Sequence, residues 1–272
     1  MPATSHKPGR SRDASEHGAH AAGIGMILIG DELLTGKRRD QHMPAVIDRL
    51  AQRGLELDWV RIVGDDGERL QATLADSLAG EDIVFCFGGI GPTPDDRTRQ
   101  CAAAAAGRAL EINAEGRAAL LAHYGAKGLT RNRLVMVEWP VGAEMIPNPV
   151  NQVPGFSLGR HHFVPGFPSM AWPMVEWVLN TYYAHAGERE PVVEYLLEAR
   201  DISESAIVDD MQAVTDAHPG VRVACLPSAD GRRLLEFGIR GARQQVEAAS
   251  RDLCERLQQQ GISIVRLNAD RD

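Results

Sequence analysis

Long apolar runs are missing from this 272-residue chain: none approaches the roughly 18 residues that a membrane-spanning helix requires, so no membrane partner is expected. Clustered cysteines are missing too. Cys86, Cys101, Cys225 and Cys254 stand far apart, with no Cys-x-x-Cys pair and no histidines gathered at metal-ligand spacing. That pattern predicts reduced, structural thiols in a cytoplasmic protein. Positive charge is in short supply. The chain has 29 Lys and Arg against 37 Asp and Glu, a formal net charge of −8, which argues against nucleic acid as a partner. An internal repeat is also absent. Residues 1–22 contain neither the apolar stretch of a signal peptide nor any periodicity, and a disordered tail is expected there.

What is present is an alternation of apolar strands and amphipathic helices. Residues 24–29 and 83–87 are short, continuous apolar runs of the kind that form buried strands, and residues 55–63 predict a third. Helices fit residues 44–53, stopped by Gly54, and the stripe Leu70, Leu74, Leu78, closed near Gly80. The five alanines of residues 102–106 predict a helix, and another fits residues 115–124. Residues 156–164, with Gly159-Arg160 at their middle, predict a hairpin, and residues 170–182 a helix. Strand–helix alternation at this spacing implies a parallel sheet with right-handed crossovers, hence an α/β fold. A composition break over residues 184–191 predicts a linker between a domain of residues 23–183 and a small α+β domain of residues 192–272. The small domain reads in βαββαβ order.

Three loops follow apolar strands directly: Gly30-Asp31-Glu32, Gly64-Asp65-Asp66 and Gly88-Gly89-Ile90-Gly91-Pro92-Thr93-Pro94-Asp95-Asp96. In an open parallel sheet such loops share one rim, where ligands bind. Glycines at 88, 89 and 91 permit close approach of backbone to ligand. A helix beginning near Asp96 or Arg97 would aim free N–H groups at a phosphate. The competing explanation is a tight strand-to-helix turn capped by Thr93, Asp95 or Asp96. Asp65 and Asp96 leave neighbouring strands, so they form a candidate Mg²⁺ pair, or else they cap the helices beginning there. Lys37-Arg38-Arg39 is taken as a solvated charge run, with phosphate attraction as the alternative. His161-His162 is expected to be an exposed strand pair rather than a metal site, and Trp139, Trp172 and Trp177 are assigned to core or interface packing rather than to a stacking platform. Ser157 and Ser169 show no base partner, so nucleophilic catalysis is not expected.

Further segments complete a pattern. Gly30-Asp31-Glu32-Leu33-Leu34-Thr35-Gly36, Val63-Gly64-Asp65, the 88–98 loop, Asn148-Pro149-Val150, Pro154-Gly155-Phe156 and Val164-Pro165-Gly166-Phe167-Pro168 occur in that order. Together they resemble the amino-terminal region of CinA (competence/damage-inducible) proteins, in the MoaB/Mog molybdopterin-binding superfamily. Asp201-Ile202-Ser203-Glu204-Ser205 and Leu226-Pro227-Ser228 resemble the small domain that follows it. The resemblance implies a three-layer α/β/α domain and a homo-oligomer. It also implies a site in which Asp65 and Asp96 serve metal-dependent chemistry at a phosphate. Gly30, Asp31, Glu32, Gly88, Gly89, Gly91, Thr93, Asn148, Pro154, Gly155, Pro165 and Gly166 would bind the ligand. CinA-type members are associated with divalent-metal hydrolysis of ADP-ribose-like pyrophosphates, using Mg²⁺, Mn²⁺ or Co²⁺. The molybdenum-cofactor enzymes of the superfamily bind molybdopterin or its adenylate, which supplies the alternative ligand. A non-catalytic interaction module is a third expectation. The carboxy-terminal deamidase domain of full CinA proteins is not expected in this chain. Departures stand at Asn151-Gln152, where Gly-Thr is common, and at Met170-Ala171, where Glu-Met is usual.

Overall fold

A computed structural model describes residues 22–184, 192–200, 202–227 and 234–267. Residues 1–21 and 185–191, which carry nearly all of the expected tail and linker, lie outside the described residues, as do Asp201 and Ser228. In chain order the elements are β1 (Ile24–Ile29), α1 (Asp31–Leu34), α2 (His42–Ala51), β2 (Trp59–Val63), α3 (Gly67–Leu78), β3 (Ile83–Phe87) and α4 (Thr98–Ala105). Then come β4 (Leu110–Ile112), α5 (Ala114–Gly128), α6 (Arg131–Val135), β5 (Glu138–Pro140), β6 (Glu144–Ile146), β7 (Gly155–Leu158), β8 (His161–Val164) and α7 (Pro168–Tyr182). The chain continues with β9 (Val192–Arg200), α8 (Val208–Ala217), β10 (Arg222–Pro227), β11 (Leu234–Ala242), α9 (Arg243–Gln259) and β12 (Ile264–Arg266).

By its contacts the chain forms two compact units, described separately. The first holds the described residues of 1–40 and 57–171; the second holds 41–56 and those of 172–272. The sheet of the first unit runs β2-β1-β3-β8-β7-β6. Strands β2, β1, β3 and β8 are parallel, and β7 and β6 follow as antiparallel neighbours. This is the mainly parallel sheet expected of the α/β class. β1 is buried along its whole length, which is why it reads as an unbroken apolar run. The hairpin joining β7 to β8 turns at Gly159, with φ of 59°.

One core cluster joins Ile27 and Ile29 of β1, Val84 and Cys86 of β3, and Phe156 and Phe163 of the hairpin to Leu70 and Leu74 of α3 and Ala102 of α4. Removing a leucine side chain of this kind from water contributes about 1.5–3 kcal/mol. Thus the leucine stripe of α3 supplies much of the energy that holds the helix in place. Phe156 and Phe163 stack with ring centroids 4.5 Å apart, and Trp139 stacks on Phe156 at 5.6 Å. Three short strands, β4, β5 and β6, were not expected, since three residues carry too little alternation to register. α5 leaves helical angles at Gly125 (φ 67°, ψ 169°), so its regular part ends near Tyr124, close to the expected boundary.

In the second unit β10-β11-β9-β12 form an antiparallel sheet. Tyr195, Leu197 and Ala199 of β9 and Phe237 and Ile239 of β11 share a core with Val214 of α8 and with Val246, Leu253 and Leu257 of α9. The strand and helix order from 192 onward is the expected βαββαβ. Helix α8 starts only at Val208, after a tight turn at residues 204–206, rather than near Ser203.

Candidate functional site

Register places four strand ends side by side. Ile29 pairs with Val63, Leu28 with Phe87, and Phe87 with Val164. Chain exits at Gly30, Gly64, Gly88 and Pro165 therefore share the carboxyl rim of the sheet. Backbone bonds continue past the strands: Gly30 N–H donates to Val63 O at 3.0 Å and Gly88 N–H to Val164 O at 3.0 Å.

The first two acidic loops are fastened to each other. Asp31 N–H donates to Asp65 Oδ2 at 3.1 Å, and Asp65 N–H donates to Asp31 Oδ1 at 3.1 Å. A Cβ on Gly64 would sit 2.3 Å from Asp31 Oδ1, so a larger residue there would displace the Asp31 side chain that makes this bond. Asp66 is the helix cap, accepting from Arg69 N–H at 2.9 Å. Asp65 is thereby released from capping and faces the cavity described below. Burial raises its pKa above the usual carboxylate value; the Asp31 N–H bond opposes that rise, while the negative charges of Asp31, Glu32 and Asp95 reinforce it.

The glycine loop is held from several sides. Gly88 and Gly89 adopt φ of 103° and 68°. A Cβ on Gly88 would lie 2.4 Å from Ile29 O, and one on Gly89 2.2 Å from Thr98 Oγ1. Helix α4 begins at Thr98, not at Asp96 or Arg97, and its first N–H is not free for a phosphate: Thr98 N–H donates to Gly89 O at 3.0 Å. Its hydroxyl also donates to Gly88 O at 2.9 Å. Asp96 does not cap α4. It braces the preceding turn, with Oδ2 accepting from Thr93 N–H at 3.0 Å and from the Thr93 hydroxyl.

Sequence reasoning missed Arg99. This side chain is 1% exposed, and its guanidinium donates to Gly91 O at 2.9 Å and to Val135 O. Burial lowers its pKa, and the charges of Glu138 and Asp96 oppose that shift. Its Nε has no hydrogen-bond partner among the described residues. The signal was available: Arg99 shares the buried stripe of α4 with Ala102 and Ala103, where a charge has to be compensated.

A cavity of about 540 Å³ opens at the rim, within the first unit. Of the expected site residues, Gly30, Glu32, Asp65, Gly88, Gly89, Gly91, Thr93, Asp96, Pro154, Pro165 and Gly166 line it. Asp31, Asn148 and Gly155 do not. Asp31 is the fastener of the two acidic loops. Asn148 is 3% exposed and ties its own loop, donating to Asn151 Oδ1 at 2.7 Å and to Val153 O at 3.0 Å. Gly155 is buried at the start of β7, paired with Ile146. Tyr124, Met136, Asn151, Phe167 and Met170 also line the cavity, with Arg38, and were not expected to share one surface. The two departures meet there, with Asn151 Nδ2 3.3 Å from Met170 Sδ.

Asp65 and Asp96 line one cavity, where a divalent cation would need ligand oxygens and water to complete its shell. Among the described residues there is no group of three or more His, Cys, Asp or Glu able to hold a metal by themselves.

Two expectations are corrected. His161 and His162 are buried, not exposed, with 2% and 1% accessibility. Burial pushes their pKa values down to about 4 and about 3. Ser157 does have a base partner, His162 Nδ1 at 2.8 Å, and Ser77 Oγ lies 2.7 Å from His161 Nε2. Both pairs satisfy buried polar groups inside the sheet, where a nucleophile is out of reach. All four cysteines are free, with pKa values raised by burial.

Residues 25–185 match the model of a family described as "Probable molybdopterin binding domain". The chain belongs to that family. Its relatives are CinA-like proteins: one of Anaeromyxobacter dehalogenans (strain 2CP-1) is 35% identical over 73% of this chain and 50% of its own length. Another, of Geobacter metallireducens, is 33% identical over the same shares. Among solved structures, the protein CinA of Thermoplasma acidophilum, of unknown function, superposes with a TM-score of 0.54 at 27% identity, covering 59% of this chain and 97% of that one. The chain thus spans about half the length of these curated relatives. No helix among the described residues is long and apolar enough to cross a membrane.

Proposed function

We propose that this molybdopterin-binding-domain protein is a divalent-metal-dependent hydrolase of a nucleotide pyrophosphate such as ADP-ribose. The observation that carries the proposal is the electrostatics of one cavity. Asp65 stands partly desolvated among Asp31, Glu32 and Asp95, and its raised proton affinity marks a place where a positive charge is stabilised. Asp96 and the Gly88–Gly91 turn line the same cavity. A phosphorylated ligand enters such a pocket most favourably together with a cation.

Asp65 and Asp96 would hold that cation, Mg²⁺, Mn²⁺ or Co²⁺. When bound, the metal would neutralise phosphate charge and polarise the phosphoryl group. The protein's own part is positional. The Asp31–Asp65 fastening sets the Asp65 carboxylate, Thr93 sets Asp96, and Arg99 holds the Gly91 carbonyl from behind. Backbone freedom at Gly88 and Gly89 lets the ligand approach the main chain closely. The protein acts in the cytoplasm as a homo-oligomer, on a small phosphorylated molecule rather than on nucleic acid or membrane.

The test is incubation with ADP-ribose, FAD and related dinucleotides in the presence of each metal. Turnover that depends on metal and drops at least 100-fold in Asp96→Asn is expected. Absence of turnover across the panel, or turnover unaffected by Asp96→Asn, refutes hydrolysis. The family's description favours a second reading, a protein that binds molybdopterin; adenylation of it would be a further step. Calorimetric binding of molybdopterin without ADP-ribose hydrolysis would select it.

A further inference from the structure

The charges on the cavity are lopsided. Glu32, Asp65, Asp95 and Asp96 bring carboxylates, and Arg38 is the one cation among the described residues that line it. Arg38 lies in the loop after α1, where its backbone N–H donates to Glu32 O at 3.0 Å. That bond places the arginine on the chain turn that carries one of the acids. No carboxylate stands within ion-pair distance of its guanidinium among the described residues. Its contact is instead with Phe167, whose ring centroid is 5.9 Å from Arg38 Cζ. Phe167 follows β8 and is 55% exposed, an unusual exposure for a large aromatic side chain.

These facts fit together chemically. A guanidinium resting on an aromatic ring uses its π face and keeps its N–H edge free. That edge is a planar fork matching two oxygens of a phosphate. An arginine needed only for solubility would gain nothing from a place on a cavity wall. One needed to pair an acid would have chosen Glu32 or Asp95. We propose that Arg38, seated on Phe167, is the arm that binds the ligand's phosphate directly, while Asp65 and Asp96 meet it only through a cation. The inference rests on the cavity being a phosphate site and adds a division of labour: one metal-independent anion contact and one metal-dependent pair. It also restricts the ligand class to molecules carrying an anionic phosphate, since a neutral nucleoside gives the fork nothing to hold.

The experiment is calorimetry on the full chain with ADP-ribose, AMP and adenosine, in EDTA and then with Mg²⁺. In EDTA the wild type should bind ADP-ribose and AMP with affinity that falls as salt rises, and bind adenosine much more weakly. Arg38→Gln should weaken ADP-ribose binding at least 10-fold in EDTA without changing its weak binding of adenosine. Arg38→Lys should fall between the two, and Phe167→Leu should cost a few-fold by unseating the guanidinium. Asp65→Asn should do the reverse in EDTA, tightening binding by removing a like charge. Thermal unfolding of each variant reports whether the fold is retained; Arg38 is exposed, so its variants should melt with the wild type. Equal binding of ADP-ribose by wild type and Arg38→Gln overturns the assignment of Arg38 and leaves the phosphate site standing. A wild type that binds no phosphorylated probe, with or without Mg²⁺, overturns both.

Discussion

Replacing Arg99 by Met keeps most of the side-chain volume and removes the guanidinium. Two charge-assisted hydrogen bonds disappear, to Gly91 O and Val135 O, each worth about 1.5–3 kcal/mol to a charged donor. The carboxylates of Glu138 and Asp96 lose a compensating charge. Against this, a buried ion no longer has to be desolvated. Leaving two carbonyls without their donor costs about 1–3 kcal/mol each, a net loss of a few kcal/mol. For a cooperative unit of this size each kcal/mol lowers Tm by about 2–4 °C, so Arg99→Met should melt roughly 10 °C below wild type. Arg99→Lys, which can reach one carbonyl but not both, should lose about half as much. Glu138→Gln in the Arg99→Met background should recover part of the loss, because the two groups are coupled. Differential scanning calorimetry of the four proteins measures all of this. A Tm for Arg99→Met within about 2 °C of wild type would refute the view that this guanidinium holds the glycine loop.

Other outcomes follow from the same structure. His161 and His162 are held neutral by burial, with pKa values down to about 4 and about 3. Their stabilisation is therefore complete above the unfolded-state value near 6.5 and is lost as pH falls from there toward 4. The slope is roughly 1.4 kcal/mol per pH unit per histidine, and urea titrations between pH 7 and 4 should show it. Asp65→Asn removes a charge whose pKa is raised by burial and, less strongly, by neighbouring acids, so Tm should hold or rise slightly at pH 7 while metal-dependent turnover is lost. A clear fall in Tm would mean that Asp65 is structural. Gly89→Ala places a methyl 2.2 Å from Thr98 Oγ1 at a φ of 68°, and should destabilise by about 2 kcal/mol or more in chemical denaturation.

The sheet was legible where local chemistry alone decides it. β1 and β3 are continuous apolar runs that only a doubly covered strand can bury, and both were bounded correctly from the residues. Three loops leaving one rim followed from strand–helix alternation. Which acid on those loops faces the cavity was not legible. Asp31, Asp65 and Asp66 look alike in sequence, and their roles as fastener, cavity group and helix cap depend on a bond between loops 34 residues apart. Arg38 in a charge run and His161-His162 in a hairpin have the same explanation. Arg38 meets the cavity because the loop after α1 reaches the exit of β8. The histidines are buried because β8 lies in the sheet interior, between β3 and β7. Arg99 differs, since a charge on the alanine-rich buried face of α4 is visible in the sequence itself.

The central pairing of the sheet also constrains the order of events during synthesis. Val84 of β3 pairs with His161 of β8, 77 residues later, so the rim closes only after most of the first unit has left the ribosome. A nascent chain that has reached Thr98 carries the first three acidic and glycine loops of the cavity and has β1 beside β3, but lacks the Pro165-Gly166 loop and the strand that covers the other edge of β3. Until the hairpin docks, β3 presents an open, apolar edge to the cell. Chaperone demand should therefore peak in that interval, and mutations in the hairpin should lower soluble yield before they touch ligand binding.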